Sequence, residues 1–307
     1  KSSTYPTTGP KQKRAQTIDK PIETYINTYI KQVNSHQTQP ETRYPVPDTT
    51  QDGTARYRPD YKYHPHHPPS TTVTMAVVFF DCDDCLYQND WNTAGLLTAR
   101  IDEFCVSQLH LPTGKAYQLY KQHGTCLKGL TEEKLMPDTP EAIDQFLEYC
   151  HDVPLDDIQP DQSLRAMIQR VTKPRWVFTA SVKSHALRCL KQLGIDDLFL
   201  GIIDCKAVGL VTKHSKEAFE RAMAIAGATD PSQCYFVDDS TPNIQTAHAM
   251  GWKTACVGPL RGSNGESMGE DVAGRVCEGA DHCINTVHDM PTVFPELFLP
   301  SNPEPEQ

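Results

Sequence analysis

Apolar residues are scarce in this 307-residue chain, at 38% of the total, and the shortage is uneven. Residues 1–74 are rich in Pro, Thr, Gln, Tyr and Lys and hold no apolar repeat of period 2 or 3.6. A segment with so little apolar surface to bury cannot offset its own chain entropy. We read it as a disordered, Pro-rich tail. Its run HPHHPP (His64 to Pro69) could hold a soft metal ion, although a Pro-rich linker containing histidines is the simpler reading. At the tail's end, the apolar run MAVVFF is far too short to cross a bilayer, which excludes a membrane role there. Positive charge is also short: residues 75–307 hold nineteen Lys/Arg against thirty-three Asp/Glu, while the tail holds ten against six. A folded part this acidic repels phosphate backbones, so no nucleic-acid polymer is expected on it. The eleven cysteines are an odd number and widely spread, unlike a compact disulfide framework. Reduced thiols in an intracellular, cytoplasmic protein are expected instead. Organelle targeting stays open because the chain starts at Lys1, and the sequence does not speak to oligomeric state.

From Met75 the pattern changes. Val77 to Phe80 is a continuous β-branched and aromatic run, as in a strand buried on both faces. Helical periodicity follows in NTAGLLTARIDEFCVSQLHL and TGKAYQLYKQHG, then a loop with Gly129, then DTPEAIDQFLEYC and DQSLRAMIQRV. After that, strands and helices alternate. Arg175 to Thr179 is a strand and VKSHALRCLKQLG a helix closed by Gly194. LFLGIID is a strand, KHSKEAFERAMAIAG a helix, CYFVDD a strand and TPNIQTAHAMG a helix. KTACVG is a last short strand and PTVFPELF a last short helix. Repeated βα units predict an α/β fold, a Rossmann-like parallel sheet with helices on both faces. The all-helical stretch predicts a cap inserted after the first strand. The expected division is a tail over 1–74, a core over 75–92 and 172–300, a helical cap over 93–171 and a frayed end over 301–307.

Ligand sites in such sheets lie outside the carboxyl ends of the strands. Three strands end in reactive groups: Asp81 and Asp83, then Thr179-Ala180-Ser181, then Asp238-Asp239-Ser240, with Lys213 between the second and third. Carboxylates packed so closely need a cation, and all-oxygen ligation suits Mg2+. A carboxylate held there can attack a phosphate. A second carboxylate two residues on can protonate the leaving oxygen, and a hydroxyl and an ammonium can hold the spreading charge. The same stretch read by its sulfurs is Cys82-Asp-Asp-Cys85, a redox C-x-x-C. Two intervening carboxylates oppose thiolate formation, and that reading gives Thr179, Lys213, Asp238 and Asp239 no role. A four-cysteine zinc site would need a second C-x-x-C, and Cys277 and Cys283 are too far apart to form one.

In order and spacing these groups resemble the motifs of the haloacid-dehalogenase-like hydrolases. That family's D-x-D-x-[TV]-L matches Asp81, Asp83, Cys85 and Leu86; its Thr/Ser matches Thr179, its Lys matches Lys213 and its acidic pair matches Asp238-Asp239. FFDCDDCLY, YKQHGTCLKGL, VFTASVKSHALRCLKQLGI and YFVDDSTPNIQTAHAMGWKT further resemble its pyrimidine 5′-nucleotidase branch, in the subfamily with a helical cap. The resemblance implies a Mg2+-dependent phosphatase acting on a small phosphorylated metabolite. Asp81 would be nucleophile and metal ligand, and Asp83 acid/base and ligand through its carbonyl. Asp239 would be the main further metal carboxylate, with Asp238 beside it. Thr179, Ala180 and Lys213 would stand around the phosphate, and Thr125, Lys128 and Gly129 of the cap would face the substrate. His123 is expected to be structural. Three positions depart from the pattern. Cys85 replaces Thr or Val, Ala180 replaces an Asn and His214 replaces a Pro, which bears on activity and substrate choice rather than fold. Dehalogenation, another small phosphate ester, and a weakened regulatory or binding protein on the same fold are the alternatives.

Overall fold

The computed structural model describes residues 75–258, 277 and 279–299. The expected tail over 1–74, with His64 to Pro69, and the expected frayed end over 301–307 lie outside the described residues. Strand β1 (Val77–Phe80) is followed by helices α1 (Asn92–Ser107), α2 (Lys115–His123), α3 (Cys126–Glu132), α4 (Pro140–His151) and α5 (Gln162–Gln169). Then come β2 (Arg175–Phe178), α6 (Lys183–Leu193), β3 (Ile202–Ile203), α7 (Lys216–Ala226), β4 (Cys234–Asp238), α8 (Thr241–Ala249), β5 (Lys253–Val257), β6 (His282–Ile284) and α9 (Met290–Val293). The six strands form one parallel sheet in the order β3-β2-β1-β4-β5-β6.

The central strand explains why its sequence is apolar without a break. Val78 and Phe80 point into one core with Leu86, Leu164, Ile168, Leu190 and Val237. Val77 and Phe79 point into the other, with Phe178, Phe219, Phe236 and Trp252. Neither face of β1 meets water, so alternation would be penalised on both sides. The chain leaves β1 toward β2 and β3 on one side and returns to β4, β5 and β6 on the other. The crevice at such a reversal lies between β1 and β4, outside their carboxyl ends.

Helices α1 to α5 all lie between β1 and β2 in chain order. Phe104, Leu119, Leu130, Phe146 and Cys150 form their own apolar cluster, and it also takes in Val182 just past β2. Cys205 and Leu210, past β3, pack against the same cluster, and Lys206 bonds Asp144 of α4 at 2.6 Å. The insertion therefore rests on loops that follow the sheet's carboxyl edge. Helix α5 differs: Leu164, Met167 and Ile168 join the core of the sheet.

Several elements differ from the sequence reading. Gly129 lies inside α3, not in a loop; the turn between α2 and α3 sits at Gly124, with φ of 85°. A Cβ at Gly129 would stand 2.7 Å from Leu119 Cβ, so the glycine is there to bring α2 and α3 together. Of the expected strand LFLGIID only Ile202–Ile203 pairs, because Asp196–Leu198 coils into a 3-10 turn and Leu200 is exposed. KTACVG is not the last strand: β6 follows, three residues with too short an apolar signal to stand out. PTVFPELF splits into α9 and a 3-10 turn over Pro295–Leu297, since Pro295 lacks the N–H and crowds the preceding turn.

Candidate active site

Asp81 is the first residue past β1, and its N–H bonds the Val237 carbonyl of β4 at 2.9 Å. That bond anchors the end of β1 beside the end of β4, where Asp238 is the last strand residue. Lys213 crosses the gap from the loop before α7. Its Nζ donates to Asp81 Oδ1 and Asp238 Oδ2, both at 2.6 Å, and to the Phe178 carbonyl at 3.2 Å. The ammonium also lies 5.5 Å from the ring centres of Phe178 and Phe236, and the residue is only 4% exposed. Lys213 is not in the helix that the sequence suggests. Ser215 caps α7, which begins at Lys216, and the exposed His214 falls between them.

Asp238 is wholly buried and fully engaged. Besides Lys213 it accepts from the Ser240 N–H at 2.7 Å and from Asn243 Nδ2 at 3.0 and 3.1 Å. Asp239 is half-buried beside it. Carboxylate oxygens of Asp81, Asp238 and Asp239 all lie within 4.8 Å of one another. Burial pushes the Asp81 carboxyl up to about 7, against the pull of Lys213 and with the push of Asp238. Burial, then the charges of Asp238 and Asp81, push Asp239 well above the ordinary carboxylate range. The Lys213 ammonium goes upward too: burial works against its charge, but Asp238 and Asp81 outweigh it. Fully ionised, the three carboxylates facing one ammonium would carry two negative charges in excess, which adds to burial in making Asp81 and Asp239 hold their protons more tightly. This hard, all-oxygen set fits a small divalent cation.

Asp83 turns to a different set of partners. Its Oδ1 accepts from Tyr87 Oη at 2.6 Å and from His185 Nε2 at 2.8 Å, and its Oδ2 accepts from Ser181 Oγ at 2.8 Å. Burial alone would raise this carboxyl. The bond and charge of His185, aided by Tyr87 and Ser181, bring it down to about 2. Burial opposes the charge on His185, but its bonds to Asp83 and Cys189 raise it to about 10. The proton between them therefore rests on His185.

Thr179 is buried directly past β2, where its Oγ accepts the Ser181 N–H at 3.0 Å and its own N–H bonds Ile203 at 3.0 Å. Ala180 is exposed at this edge and offers no polar side chain where the family motif has an amide. The candidates in the insertion contact residues of α2 and α3. Thr125 caps α3 by accepting the Lys128 N–H at 3.1 Å, Gly129 is buried against Leu119, and Lys128 is exposed, with Glu132 at 3.8 Å. His123 pairs with Glu132 and Glu133 on the surface of α2 and α3, as a structural residue would.

The sequence reading missed Tyr87, His185 and Asn243, and gave Ser181 no task of its own. A signal was present: Ser181, His185 and Asn243 all fall within about a turn of a helix that starts beside the crevice. Cys82 and Cys85 do not form a reactive pair. Cys85 Sγ donates to the Val237 carbonyl at 3.4 Å, and burial is the leading cause that pushes its thiol well up. None of the eleven cysteines, all among the described residues, is in a disulfide, and no helix among the described residues is long and apolar enough to cross a membrane.

Phosphate metabolism protein 8 of Saccharomyces cerevisiae is 30% identical over 210 residues, which cover 62% of this chain and 64% of the yeast protein. This chain thus spans less than two thirds of that relative's length. A conserved haloacid dehalogenase-like protein from Agrobacterium tumefaciens superposes with a TM-score of 0.43 at 20% identity, over 72% of this chain and 98% of its own. The L-2-haloacid dehalogenase of Xanthobacter autotrophicus, solved with chloropropionic acid covalently bound, gives 0.44 at 15% identity over 72% and 98%. The model of the haloacid dehalogenase-like hydrolases matches residues 75–251, more than half of the chain. The chain belongs to the haloacid dehalogenase-like hydrolase family.

Proposed function

We propose that this protein is a Mg2+-dependent phosphomonoesterase that works through a phosphorylated Asp81. Its substrate would be a small soluble phosphate ester, and within that class a pyrimidine nucleoside 5′-monophosphate. The observation that carries the reading is the Lys213 bridge between Asp81 and Asp238, with Asp239 alongside at the same edge of the sheet. Asp81, Asp239, Asp238 and the Asp83 carbonyl would hold Mg2+, which when bound neutralises the acidic cluster and draws charge from the phosphate oxygens.

The residues of the chain divide the rest of the work. Asp81 attacks phosphorus while the bond to the leaving oxygen breaks. Lys213 and the hydroxyl of Thr179 hold the charge that spreads over the equatorial oxygens. The proton for the leaving oxygen starts on His185: its Nε2–H, 2.8 Å from Asp83, passes to the Asp83 carboxylate as Asp83 delivers a proton to the leaving oxygen. In the second half Asp83 takes a proton from water, passes it to His185, and the water oxygen displaces Asp81 from phosphorus. The helical insertion would close over the leaving group and exclude bulk water. Of the three insertion candidates, Lys128 presents an exposed charge, while Thr125 and Gly129 would act by shaping the α2–α3 turn.

A second reading, a phosphate-ester binding protein with weakened turnover, draws on Ala180, which supplies no side-chain contact at the mouth. A panel of phosphate esters assayed with Mg2+ and with EDTA separates the two. We expect phosphate release with UMP or CMP among the best substrates, and loss of that release in EDTA. Release that persists unchanged in EDTA contradicts the mechanism, and Mg2+ binding without turnover on any ester favours the second reading.

A further inference from the structure

Asp83 also borders a group of soft ligands outside the acidic cluster. Cys82, in the turn after β1, and Cys189, on α6, are both fully buried. Cys82 Sγ, Cys189 Sγ and an Asp83 carboxylate oxygen lie within 4.8 Å of one another. Cys189 Sγ is 3.6 Å from His185 Nε2 and 3.9 Å from Asp83 Oδ1. His185 and Cys189 are four residues apart, so α6 presents them on one face.

Two of these separations lie near the edges of a coordination tetrahedron. With Zn–S, Zn–N and Zn–O bonds of about 2.3, 2.0 and 2.1 Å, the S–N and S–O edges come to about 3.6 Å and the N–O edge to about 3.4 Å. The two sulfur edges are already close to those lengths. The edge from His185 Nε2 to Asp83 Oδ1 is a hydrogen bond of 2.8 Å and has to open as an ion replaces the proton, while Cys82 Sγ stands within 4.8 Å of the other sulfur and the carboxylate. His185 Nδ1 has no hydrogen-bond partner among the described residues, so coordination through Nε2 breaks nothing on the other side of the ring. The Asp83 side chain is 17% exposed and gives the ion a way in.

We infer that Cys82, Cys189, His185 and the Asp83 carboxylate form a second metal site, for a thiophilic divalent ion such as Zn2+. Ligand softness sorts the two sites: thiolate and imidazole favour Zn2+, while the all-oxygen cluster favours Mg2+. Occupation of the soft site ties up the Asp83 carboxylate. On the proposed phosphatase reading, Zn2+ at this site therefore stops turnover even in excess Mg2+.

Co2+ is the probe, added to the full chain in excess Mg2+. One equivalent is expected to give thiolate-to-cobalt charge-transfer absorption and the visible bands of a tetrahedral ion, both removed by Zn2+. Histidines of the HPHHPP run supply no thiolate band. Cys189→Ala should lose the share of the charge-transfer band that Cys82 does not carry, and weaken Zn2+ binding by about 100-fold, at or above the upper end of what losing a supporting residue costs. Cys234→Ala, at a buried cysteine of β4 outside the cluster, should keep both. If Cys189→Ala fails to fold, Cys189→Ser replaces it. Parallel phosphate-release assays should show Zn2+ inhibition in the unmodified protein and at least tenfold less sensitivity in the Cys189 variant. Absence of a thiolate band, or a band that survives loss of Cys189 undiminished, overturns the site. Absence of phosphate release on every ester overturns only the phosphatase reading, and the band still decides the site.

Discussion

Asp81→Asn is expected to lower phosphate release by about 10⁴-fold or more, the scale seen when an attacking nucleophile is removed. The amide is nearly the same shape, so the sheet and the Lys213 loop should survive. What disappears is the atom that bonds to phosphorus. The control is binding: the variant should still melt cooperatively and should bind a phosphate ester within about tenfold of the unmodified protein. Single-turnover phosphate release and circular dichroism make the comparison. Turnover retained within tenfold would remove Asp81 as the nucleophile.

Lys213→Met should have the largest effect on stability. It leaves Asp81 and Asp238 buried without their shared ammonium, and breaking one partner of a buried ion pair typically costs about 3–5 kcal/mol. Asp238 keeps Asn243 and the Ser240 N–H, so the greater loss falls on Asp81. Mg2+ should recover part of it: a ligand at a hundred times its Kd stabilises by about 2.7 kcal/mol. The pH dependence has a definite sign. The Asp81 carboxyl is held at about 7, above its ordinary value of 3.8, so the metal-free fold loses stability as pH rises through that window. Mg2+ removes this penalty. Its stabilising effect on the unmodified protein should therefore grow between about pH 5 and 7 and level off above, whereas in the variant, without the pull of Lys213 on Asp81, the rise should continue to higher pH. Thermal melts with and without Mg2+ across that range test this, and a Mg2+ effect that shrinks as pH rises contradicts it.

How much of this could be read from the sequence depended on the distance over which each signal acts. β1 and β4 were legible because a strand buried on both faces must be apolar throughout. Their terminal acids, Asp81 and Asp238, stood out against that background. Lys213 was legible as a member of the set, but its position was not. KHSK could start a helix at several residues, and only the Ser215 cap decides that Lys213 stays in the loop and reaches across to two carboxylates. The partners of Asp83 were hidden for another reason. Ser181 and His185 lie 98 and 102 residues further along, so the strand order brings them together, and their place near a helix start is the one local hint. Gly129 was misread because a glycine between two helical patterns suggests a break. Here it permits close helix packing. The unequal commitment of Asp238 and Asp239 also appears only in three dimensions.

The account depends most on Asp81 carrying the phosphoryl group. Rapid quenching during turnover of UMP with Mg2+, borohydride reduction and peptide mass spectrometry would detect it, because reduction converts an aspartyl-phosphate to homoserine. The predicted result is homoserine at position 81, dependent on both substrate and Mg2+. Phosphate release with position 81 unmodified, or with the label at another residue, would contradict the account.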